Sequence, residues 1–434
     1  MRSRRVIGLL AVAACNGGGS SMLAGGDAST DAPASTSVAI TAYTFKGDGA
    51  PDPTAIAIFS DASGATIQHG LVDADGHAQC DLADGGSITV LQVTHDPTNL
   101  ALVTDHLTSF RDVAPGDHLV VGRTRDPAYR AGATDAMTLS YTPLSSSSGP
   151  YIYAQCVDGG SGNGPLTLTF HASCETPAFD LLLFADDTSG VRNYIWRPGV
   201  AHVASGTIAI PNTWQPIART ATTVTNARTG ALLAVELDVV LGGTAFLVDS
   251  ANTPPFALAF APVATPTLLT AWQTQGVKTI DRQVVVTTGS PMAVAIDMAS
   301  LPLPAPAQAR QNAAVLTWTE TVGGNPDARA IVWSSTWIDG NQANHSAVWQ
   351  IIEKPTPATS ATLPALPTDY AEDDPTFADP QRSGHVTGAA IFYVDYDNLD
   401  GYAAARAAGA SIIDIESQFL SIDHRAHYTV AGTN

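Results

Sequence analysis

Apolar and polar residues alternate along most of the chain in short runs, separated by turns that are rich in glycine, proline and aspartate. Residues 38–43, 54–59 and 87–93 are runs of this kind. Closely spaced turns between β-branched runs are typical of antiparallel β-structure. The sequence has no long stretch of Glu, Lys, Gln and Arg at helical spacing. The pattern therefore predicts an all-β protein.

One segment departs from this pattern. Residues 399–408 are rich in alanine, and Gly409 follows them at the position of a helix C-terminal cap. The sequence predicts one short helix here, near the C-terminus.

Proline- and glycine-rich joints divide the chain into three predicted antiparallel β-sandwich domains in tandem. A chain of 434 residues is too long for one ordinary core. We expect the first sandwich over residues 37–126, the second over 134–262 and the third over 263–434. The alternating strands of the third region loosely resemble fibronectin-type-III-like sandwiches. The boundary before it is marked by Pro254, Pro255, Pro262 and Pro266.

The first predicted sandwich carries a recognisable order of strands and turns. A strand is followed by the turn 61–64 (DASG), the segment 72–76 (VDADG), a short strand and the segment 84–90 (DGGSITV). This order, over residues 38–93, resembles the transthyretin-like or carboxypeptidase-regulatory-like modules of secreted proteins. The resemblance implies a structural or binding element, and it brings no catalytic residue with it.

The N-terminus resembles the leader of a bacterial lipoprotein. Residues 1–5 contain three arginines, residues 6–14 are apolar, and Val12-Ala13-Ala14-Cys15 resembles a lipobox, in which the cysteine is lipidated. Nine apolar residues are too few to cross a hydrocarbon core of about 30 Å. We expect a signal peptide over residues 1–14 and lipidation of Cys15. The alternative is an ordinary secretory leader in which the cysteine occurs by chance.

Residues 15–36 are rich in Gly, Ser, Ala and Thr, which predicts a disordered tether. The lipidated cysteine is followed by Asn16, not Asp. By resemblance to the enterobacterial sorting rule, this favours the outer membrane. The predicted location is thus the bacterial cell envelope, and the predicted partner is a membrane that the lipid enters.

The charge of the chain excludes one class of partner. The sequence has 40 acidic and 20 basic residues, a formal net charge of −20. Such a charge repels phosphate backbones, so we expect no nucleic-acid partner. Only 14% of the residues are charged, against roughly 25% in an average globular protein. A surface of Thr, Ser, Asn and Gln, which suits strands and turns, follows from this composition.

If Cys15 carries lipid, three cysteines remain. Cys156 and Cys174 end two strand-like runs that are separated by the glycine-rich turn 157–164, and neighbouring strands can bring two such cysteines within bonding distance. We predict the disulfide Cys156–Cys174. We expect Cys80 to be a small buried strand residue.

The sequence lacks the main catalytic motifs, which are Gly-x-Ser-x-Gly, HExxH, the P-loop and CxxC. We therefore assign no catalytic residue, cofactor or metal site. Two weaker metal hypotheses remain open. His424 and His427 lie beside Asp423, and residues 395–401 (DYDNLDG) superficially resemble a calcium loop, although Leu399, Asp400 and Arg406 do not fit the EF-hand pattern.

Four of the seven tryptophans fall between Trp318 and Trp349. Trp333 and Trp337 would share one face of a strand, and an exposed pair of this kind could stack on sugar rings. The interpretation that we favour is that they fill the core of the third sandwich.

These observations favour a non-catalytic envelope protein that presents β-sandwich modules for adhesion, ligand binding or envelope structure, with a glycan or an envelope protein as partner. The alternative is a secreted polysaccharide-acting hydrolase. Such an enzyme uses a carboxylate pair, which needs no local sequence motif.

Replacement of Cys15 by Ser tests the predicted anchor. We expect Cys15→Ser to move the protein from the membrane fraction to the soluble fraction, because the acyl chains supply the membrane affinity. Cell fractionation followed by immunoblotting measures this shift, with Cys80→Ser as the matched control. A wild-type protein that is already soluble without detergent would contradict the lipoprotein interpretation.

Overall fold

The computed structural model describes residues 37–45, 49–95, 102–122, 132–144, 150–157, 160–161, 164–172, 176–189, 191–211, 213–242, 244–275, 279–288, 293–298, 303–321, 323–338, 343–374, 376, 383–396, 399, 401–407 and 426–432. The predicted signal peptide, Cys15 and the tether lie outside these residues, so the predictions made for them stay predictions.

The strands form four consecutive groups, which we call units 1 to 4. Unit 1 comprises β1 (Ser37–Ala42), β2 (Ile56–Ser60), β3 (Thr66–Leu71), β4 (His77–Asp81), β5 (Gly86–His95), β6 (Leu102–Val113) and β7 (His118–Val121). Unit 2 comprises β8 (Thr134–Tyr141), β9 (Tyr151–Ala154), β10 (Gly160–Ser161), β11 (Leu166–His171), β12 (Ala178–Asp186), β13 (Arg192–Ala201), β14 (Thr207–Ile210) and β15 (Gln215–Pro216).

Unit 3 comprises β16 (Arg219–Thr225), β17 (Leu232–Leu241), β18 (Thr244–Ala251), β19 (Phe256–Ala259), β20 (Pro266–Gln275), β21 (Thr279–Thr288) and β22 (Ala293–Asp297). Unit 4 comprises β23 (Ala305–Asn312), β24 (Val315–Thr321), β25 (Ala328–Ile338), β26 (Asn344–Glu353), β27 (Ser360–Thr362), the 3₁₀ helix Thr368–Asp373, β28 (Ser383–Tyr396), α1 (Gly401–Ala407) and β29 (Ala426–Gly432).

Units 1 to 3 share one strand order. In each, the first strand lies at the centre of a three-stranded sheet, antiparallel to the fourth strand and parallel to the seventh. The second sheet of each unit contains the third, second, fifth and sixth strands in that order, and in unit 2 the short β15 is added. The sequence alone did not reveal this repeat of topology.

If β24 is counted as its first strand, unit 4 has the same second sheet, β26-β25-β28-β29, but its three-stranded sheet differs. Here β24 lies between β23 and β27 and is antiparallel to both. The position that a seventh strand occupies in the other units is therefore filled by β23, which precedes β24 in the chain.

The all-β class is confirmed, and so is the short C-terminal helix, which extends from Gly401 to Ala407. The strand pairing corrects the expected division of the chain. Residues 262 and 263, where a boundary was predicted, lie between β19 and β20 of unit 3, and β16 pairs with β22 and β17 with β20 across that point. The strands thus form four units, and the expectation of purely antiparallel sheets is corrected by parallel pairs such as β6 with β26.

The four-stranded sheets of units 3, 4 and 1 join edge to edge into one sheet of twelve strands. Its order is β18-β17-β20-β21-β29-β28-β25-β26-β6-β5-β2-β3. The sixth strands of units 3 and 4, β21 and β29, pair antiparallel, while β26 of unit 4 pairs in parallel with β6 of unit 1. The second sheet of unit 2 remains separate from this sheet.

The apolar core continues across the joint between units 1 and 4. On one face, Leu91 and Leu107 of unit 1 pack in a cluster with Trp333 and Trp349 of unit 4. On the other face, Ile352 and other unit 4 residues belong to the cluster that fills unit 1. Burial of shared apolar surface is the main favourable term in such an association.

Helix α1 fastens the same joint. The Tyr402 hydroxyl donates to the carbonyl oxygens of Arg111 (2.7 Å) and Ile352 (3.0 Å), and burial raises the pKa of Tyr402, which keeps the phenol neutral. Arg406 forms an ion pair with Asp117 (2.6 Å) and donates to the Asp112 carbonyl.

No helix among the described residues is long and apolar enough to span a membrane.

The turn 73–76 requires glycine at its last position. Gly76 has a φ of 78°, and its N–H donates to the Asp73 carbonyl. A Cβ at this position would lie 2.4 Å from the Ala42 carbonyl oxygen of β1. Only glycine combines a positive φ with so close an approach of the backbone, so this turn fixes β4 against β1.

Candidate functional site

The tryptophans proposed as a glycan platform lie in the core. Trp333 is 0% exposed and Trp337 is 4% exposed, and Trp337 stacks on His345 with 5.2 Å between ring centroids. Trp318 and Trp349 are buried as well. Stacking on a sugar needs an exposed ring face, so the structure corrects the platform hypothesis and agrees with the core interpretation.

Glu353, at the end of β26, is the centre of a buried ionic network between units 1 and 4. Its Oε1 accepts from Arg329 Nε (2.7 Å) and lies 2.6 Å from Arg329 Nη2, while its Oε2 accepts from Arg111 Nη1 (2.9 Å). Arg329 also donates to the carbonyl oxygens of Thr356 (3.1 Å) and Ala358 (2.7 Å). Arg111 lies on β6 and Arg329 on β25, so one carboxylate connects strands of two units.

A second carboxylate lies near this network. Glu320 Oε2 accepts from Trp318 Nε1 (3.0 Å) and from the Tyr393 hydroxyl. The pKa of Tyr393 is raised to about 12, first by burial and then by its hydrogen bond to Glu320. Burial acts to lower the pKa of Arg329, but the Glu353 carboxylate and Tyr393 raise it overall. Tyr393 is thus neutral and Arg329 positive at physiological pH.

This arrangement favours a structural role for Glu353. Both of its oxygens are engaged in charge-assisted hydrogen bonds with guanidinium groups, which connect β26 to β25 and to β6. The sequence did not predict this network, because a carboxylate pair needs no local motif, and for the same reason it left the hydrolase alternative open.

A matching ionic network lies between units 2 and 3. Asp249 on β18 accepts from Arg219 Nη1 (3.0 Å) and from the Ala259 N–H (2.8 Å), and it lies 3.5 Å from Arg192 Nη1. Arg192 of unit 2 also pairs with Asp186 (2.9 Å). The pKa of Asp186 is lowered, chiefly by its hydrogen bond to Arg192.

The carboxylates of two acidic turns accept hydrogen bonds from groups of the same turn. Asp187 Oδ1 accepts from Ser189 N (2.8 Å), Ser189 Oγ (2.6 Å) and Val191 N (3.0 Å), and Asp73 Oδ1 accepts from the N–H groups of Asp75 and His77. The Ser189 hydroxyl is the first cause of the lowered pKa of Asp187. Local hydrogen bonds account for these carboxylates without a bound cation.

The described residues contain no group of three or more His, Cys, Asp or Glu side chains that could hold a metal ion. The two metal hypotheses fall largely outside them, because Asp397, Asn398, Asp400 and His424 are not described. At the start of α1, the Gly401 N–H donates to Asp327 Oδ1 (2.9 Å).

Two of the cysteine expectations can be compared with the structure. Cys156 is disulfide-bonded. Cys174 lies outside the described residues, so its pairing with Cys156 stays a prediction. Cys80 is a buried thiol on β4, and its Sγ lies 3.5 Å from the Asp81 carbonyl oxygen.

The two ends of the twelve-stranded sheet differ. At one end, unit 2 covers β18: the Tyr153 hydroxyl donates to the Leu247 carbonyl (2.7 Å), and Arg192 donates to the Val248 carbonyl. At the other end, the residues of β3 are exposed or half-buried, and β2 is the one described strand that pairs with it. Ile67 and Leu71 of β3 are 52% and 69% exposed.

The edge of β3 is therefore the candidate binding site, which the sequence did not identify. The position of a strand in a sheet depends on pairings that are distant in the chain, so no local pattern identifies β3 as an edge strand. Residues 66–71 (TIQHGL) contain none of the charged residues or prolines that commonly protect an edge strand, but this strand has a β-bulge at Ile67, and the Tyr370 ring packs edge-on against His69 with 5.6 Å between ring centroids.

Comparisons with known proteins give no family. No family model and no curated protein matches the chain. The pilus adhesin SpaC from Lactobacillus rhamnosus GG has a solved structure with 11% identity and a TM-score of 0.12, which covers 76% of this chain and 43% of the adhesin. The chain thus spans less than half of the adhesin's length.

A second solved structure is SGBP-B from the mixed-linkage glucan utilization locus of Bacteroides ovatus, in complex with a mixed-linkage heptasaccharide. It is 9% identical, the match covers 88% of each chain, and the TM-score is 0.10. At such TM-scores neither structure bears on the function of this chain.

The Glu353 network leads to a stability prediction. We expect Glu353→Gln to lower the free energy of unfolding by about 3–5 kcal/mol, the usual cost of removing one partner from a buried ion pair. The reason is that Arg111 and the buried Arg329 lose the carboxylate that neutralises them. Denaturant unfolding followed by circular dichroism measures the change.

The exposed Glu372 provides the matched control. Glu372→Gln should change the free energy of unfolding by at most about 1 kcal/mol, because exposed ion pairs contribute little. Equal effects of the two substitutions would contradict the structural role of Glu353.

Proposed function

We propose that the protein is a non-catalytic lipoprotein of the bacterial cell envelope that presents its β-units for adhesion, ligand binding or envelope structure. The predicted signal peptide, lipidated Cys15 and tether support the location, with the outer membrane as the favoured membrane. The proposal retains a transthyretin-like or carboxypeptidase-regulatory-like module for residues 38–93.

One observation carries the non-catalytic part of this proposal. The buried carboxylates whose contacts are described act as structural connections: Glu353 joins units 1 and 4, and Asp249 joins units 2 and 3. Asp52 likewise accepts from the Thr54 hydroxyl (2.6 Å) and from Gln92 Nε2 (2.8 Å). Catalytic acids and bases usually have strongly perturbed pKa values and face a cleft, whereas these carboxylates face arginines and backbone amides.

The architecture also supports a binding role. A continuous hydrogen-bonded sheet through three units, fastened by ion pairs and by α1, provides a rigid platform. Rigid elements hold a binding surface in one conformation and so reduce the entropic cost of association. With Trp333 and Trp337 buried, the surface available for a partner lies elsewhere, and a glycan or an envelope protein remains the proposed partner.

The proposal is tested with the full chain carrying Cys15→Ser, which removes the predicted lipid. We expect no turnover of glycoside, ester or peptide substrates, and we expect retention of a ligand in a glycan array or in binding assays with purified envelope components. Chromogenic assays and surface plasmon resonance measure the two properties.

Variants make the test decisive. Hydrolysis that disappears on Glu320→Gln, but persists in Glu372→Gln, would identify an acid at the Tyr393 network and contradict the non-catalytic proposal. Circular dichroism of each variant verifies that a loss of activity does not reflect unfolding.

A further inference from the structure

We propose that unit 1 binds a divalent transition-metal ion of the Zn²⁺, Ni²⁺ and Cu²⁺ class between the imidazoles of His77 and His118, on its three-stranded sheet. The convergence of these two side chains on the Thr41 hydroxyl carries the proposal. It does not depend on the proposed function, since a binding protein and an enzyme could both hold such an ion.

The strands on either side of β1 bring the two histidines together. His77 is the first residue of β4 and lies directly opposite Thr41. His118 is the first residue of β7 and lies opposite Ala39, two residues before Thr41. Residues two apart in a strand project from the same face of a sheet. The three side chains of His77, Thr41 and His118 therefore share one face.

Both imidazoles direct a ring nitrogen at the same atom. The Thr41 hydroxyl oxygen lies 3.0 Å from His77 Nδ1 and 2.7 Å from His118 Nε2. A hydroxyl has one proton to donate and can accept as well, so it can serve two neutral imidazoles, one of which presents a lone pair. An unprotonated ring nitrogen is also the form in which histidine binds a metal ion.

The separation of the two rings fits a shared ion. Their centroids lie 6.4 Å apart, with 41° between the ring planes. Two imidazoles with nitrogen–metal distances of about 2.0–2.1 Å have centroids roughly 5–6.5 Å apart, depending on the angle at the metal. A small rotation of the exposed side chains therefore suffices to place an ion between the two nitrogens, where it replaces their hydrogen bonds to Thr41.

The surroundings suit a cation that arrives from solvent. Thr41 is 3% exposed and lies beneath the rings, whereas His77 and His118 are exposed. Strands β1, β4 and β7 contain no lysine or arginine, so their side chains do not repel a cation. The net charge of −20 favours the approach of a divalent cation as well. Water completes the coordination, since two protein nitrogens leave positions open.

The equivalent sheets of units 2 and 3 lack this pair of histidines. Strands β8, β11 and β14 of unit 2 contain one histidine, His171, and β16, β19 and β22 of unit 3 contain none. In unit 2, Thr138 lies between Thr167 and Thr207. The strand order can thus be built without histidine at these positions, which leaves the imidazoles of unit 1 available for a ligand.

The ligand atoms determine which ions we expect. Imidazole nitrogen suits Zn²⁺, Ni²⁺ and Cu²⁺, whereas Ca²⁺ and Mg²⁺ take oxygen ligands. The general order of divalent affinities places Cu²⁺ first. We therefore expect Cu²⁺ to bind most tightly at this site, and Ca²⁺ not to compete for it.

The test is isothermal titration calorimetry with Ni²⁺, on the full chain carrying Cys15→Ser and purified without a histidine tag. His77→Ala and His118→Ala should each weaken binding at least about tenfold, because the loss of even an outer-shell partner of a metal ligand costs about 10–100-fold. His69→Ala is the matched control, since it removes an exposed histidine from β3 of the same unit. It should leave the affinity unchanged.

A second readout separates loss of the ion from damage to the fold. An ion that binds the folded chain better than the unfolded chain raises the melting temperature. Ni²⁺ should raise the melting temperature of the Cys15→Ser chain and of its His69→Ala variant, but not that of the His77→Ala or His118→Ala variant. Electron paramagnetic resonance of the Cu²⁺-loaded chain should show nitrogen ligands that are lost in the His77→Ala/His118→Ala double variant.

Three outcomes would overturn the proposal. The first is the absence of Zn²⁺, Ni²⁺ and Cu²⁺ binding at millimolar metal. The second is binding that depends on one of the two histidines alone, which would exclude a shared ion. The third is binding that both single variants retain; its loss on His424→Ala would then assign the ion to His424 and His427. Far-ultraviolet circular dichroism of each metal-free variant verifies that the fold is retained.

Discussion

The backbone groups at the edges of the β-sheets are the constraint on which this structure depends. Every edge strand presents unpaired N–H and C=O groups, and a protein of four small β-units has many such edges. Here the units pair their edges with one another: β21 with β29, and β26 with β6. The first and last units of the described chain thereby lie side by side, and the apolar core becomes continuous across them.

Buried ion pairs also connect the units, one at the β26–β6 joint and one between units 2 and 3. Glu353 is the last residue of β26 and meets Arg111 from the neighbouring β6, while Asp249 on β18 meets Arg192 from unit 2. Such pairs contribute little net stability compared with apolar residues, but the loss of one partner is costly, which makes them effective determinants of register between units. Glu353 and Asp249 are therefore explained as parts of these contacts.

Local signals predicted what is local. The Asp-x-x-Gly turns, the strands that they connect and helix α1 were read from the sequence, because each depends on residues close in the chain. The number of units was not predicted from the sequence. Pro262 and Pro266 lie inside unit 3, but in sequence they cannot be distinguished from the prolines of an inter-domain joint. Burial of Trp333 could not be decided either, because alternation along a strand gives two faces without identifying which one another sheet covers. The pairing of β6 with β26 joins residues about 240 positions apart in sequence, and no local motif records it.

A cross-link between units 1 and 4 tests this account most directly. Thr104 and Ser346 are directly opposed on β6 and β26, and their hydroxyl oxygens lie 3.0 Å apart. We predict that Thr104→Cys/Ser346→Cys forms a disulfide on mild oxidation, detected as a linked peptide after non-reducing digestion and mass spectrometry. The variant Thr104→Cys/Asn344→Cys, displaced by two residues, should cross-link far less. Failure of the opposed pair to link in folded protein, or equal linking of both pairs, would contradict the edge-to-edge sheet.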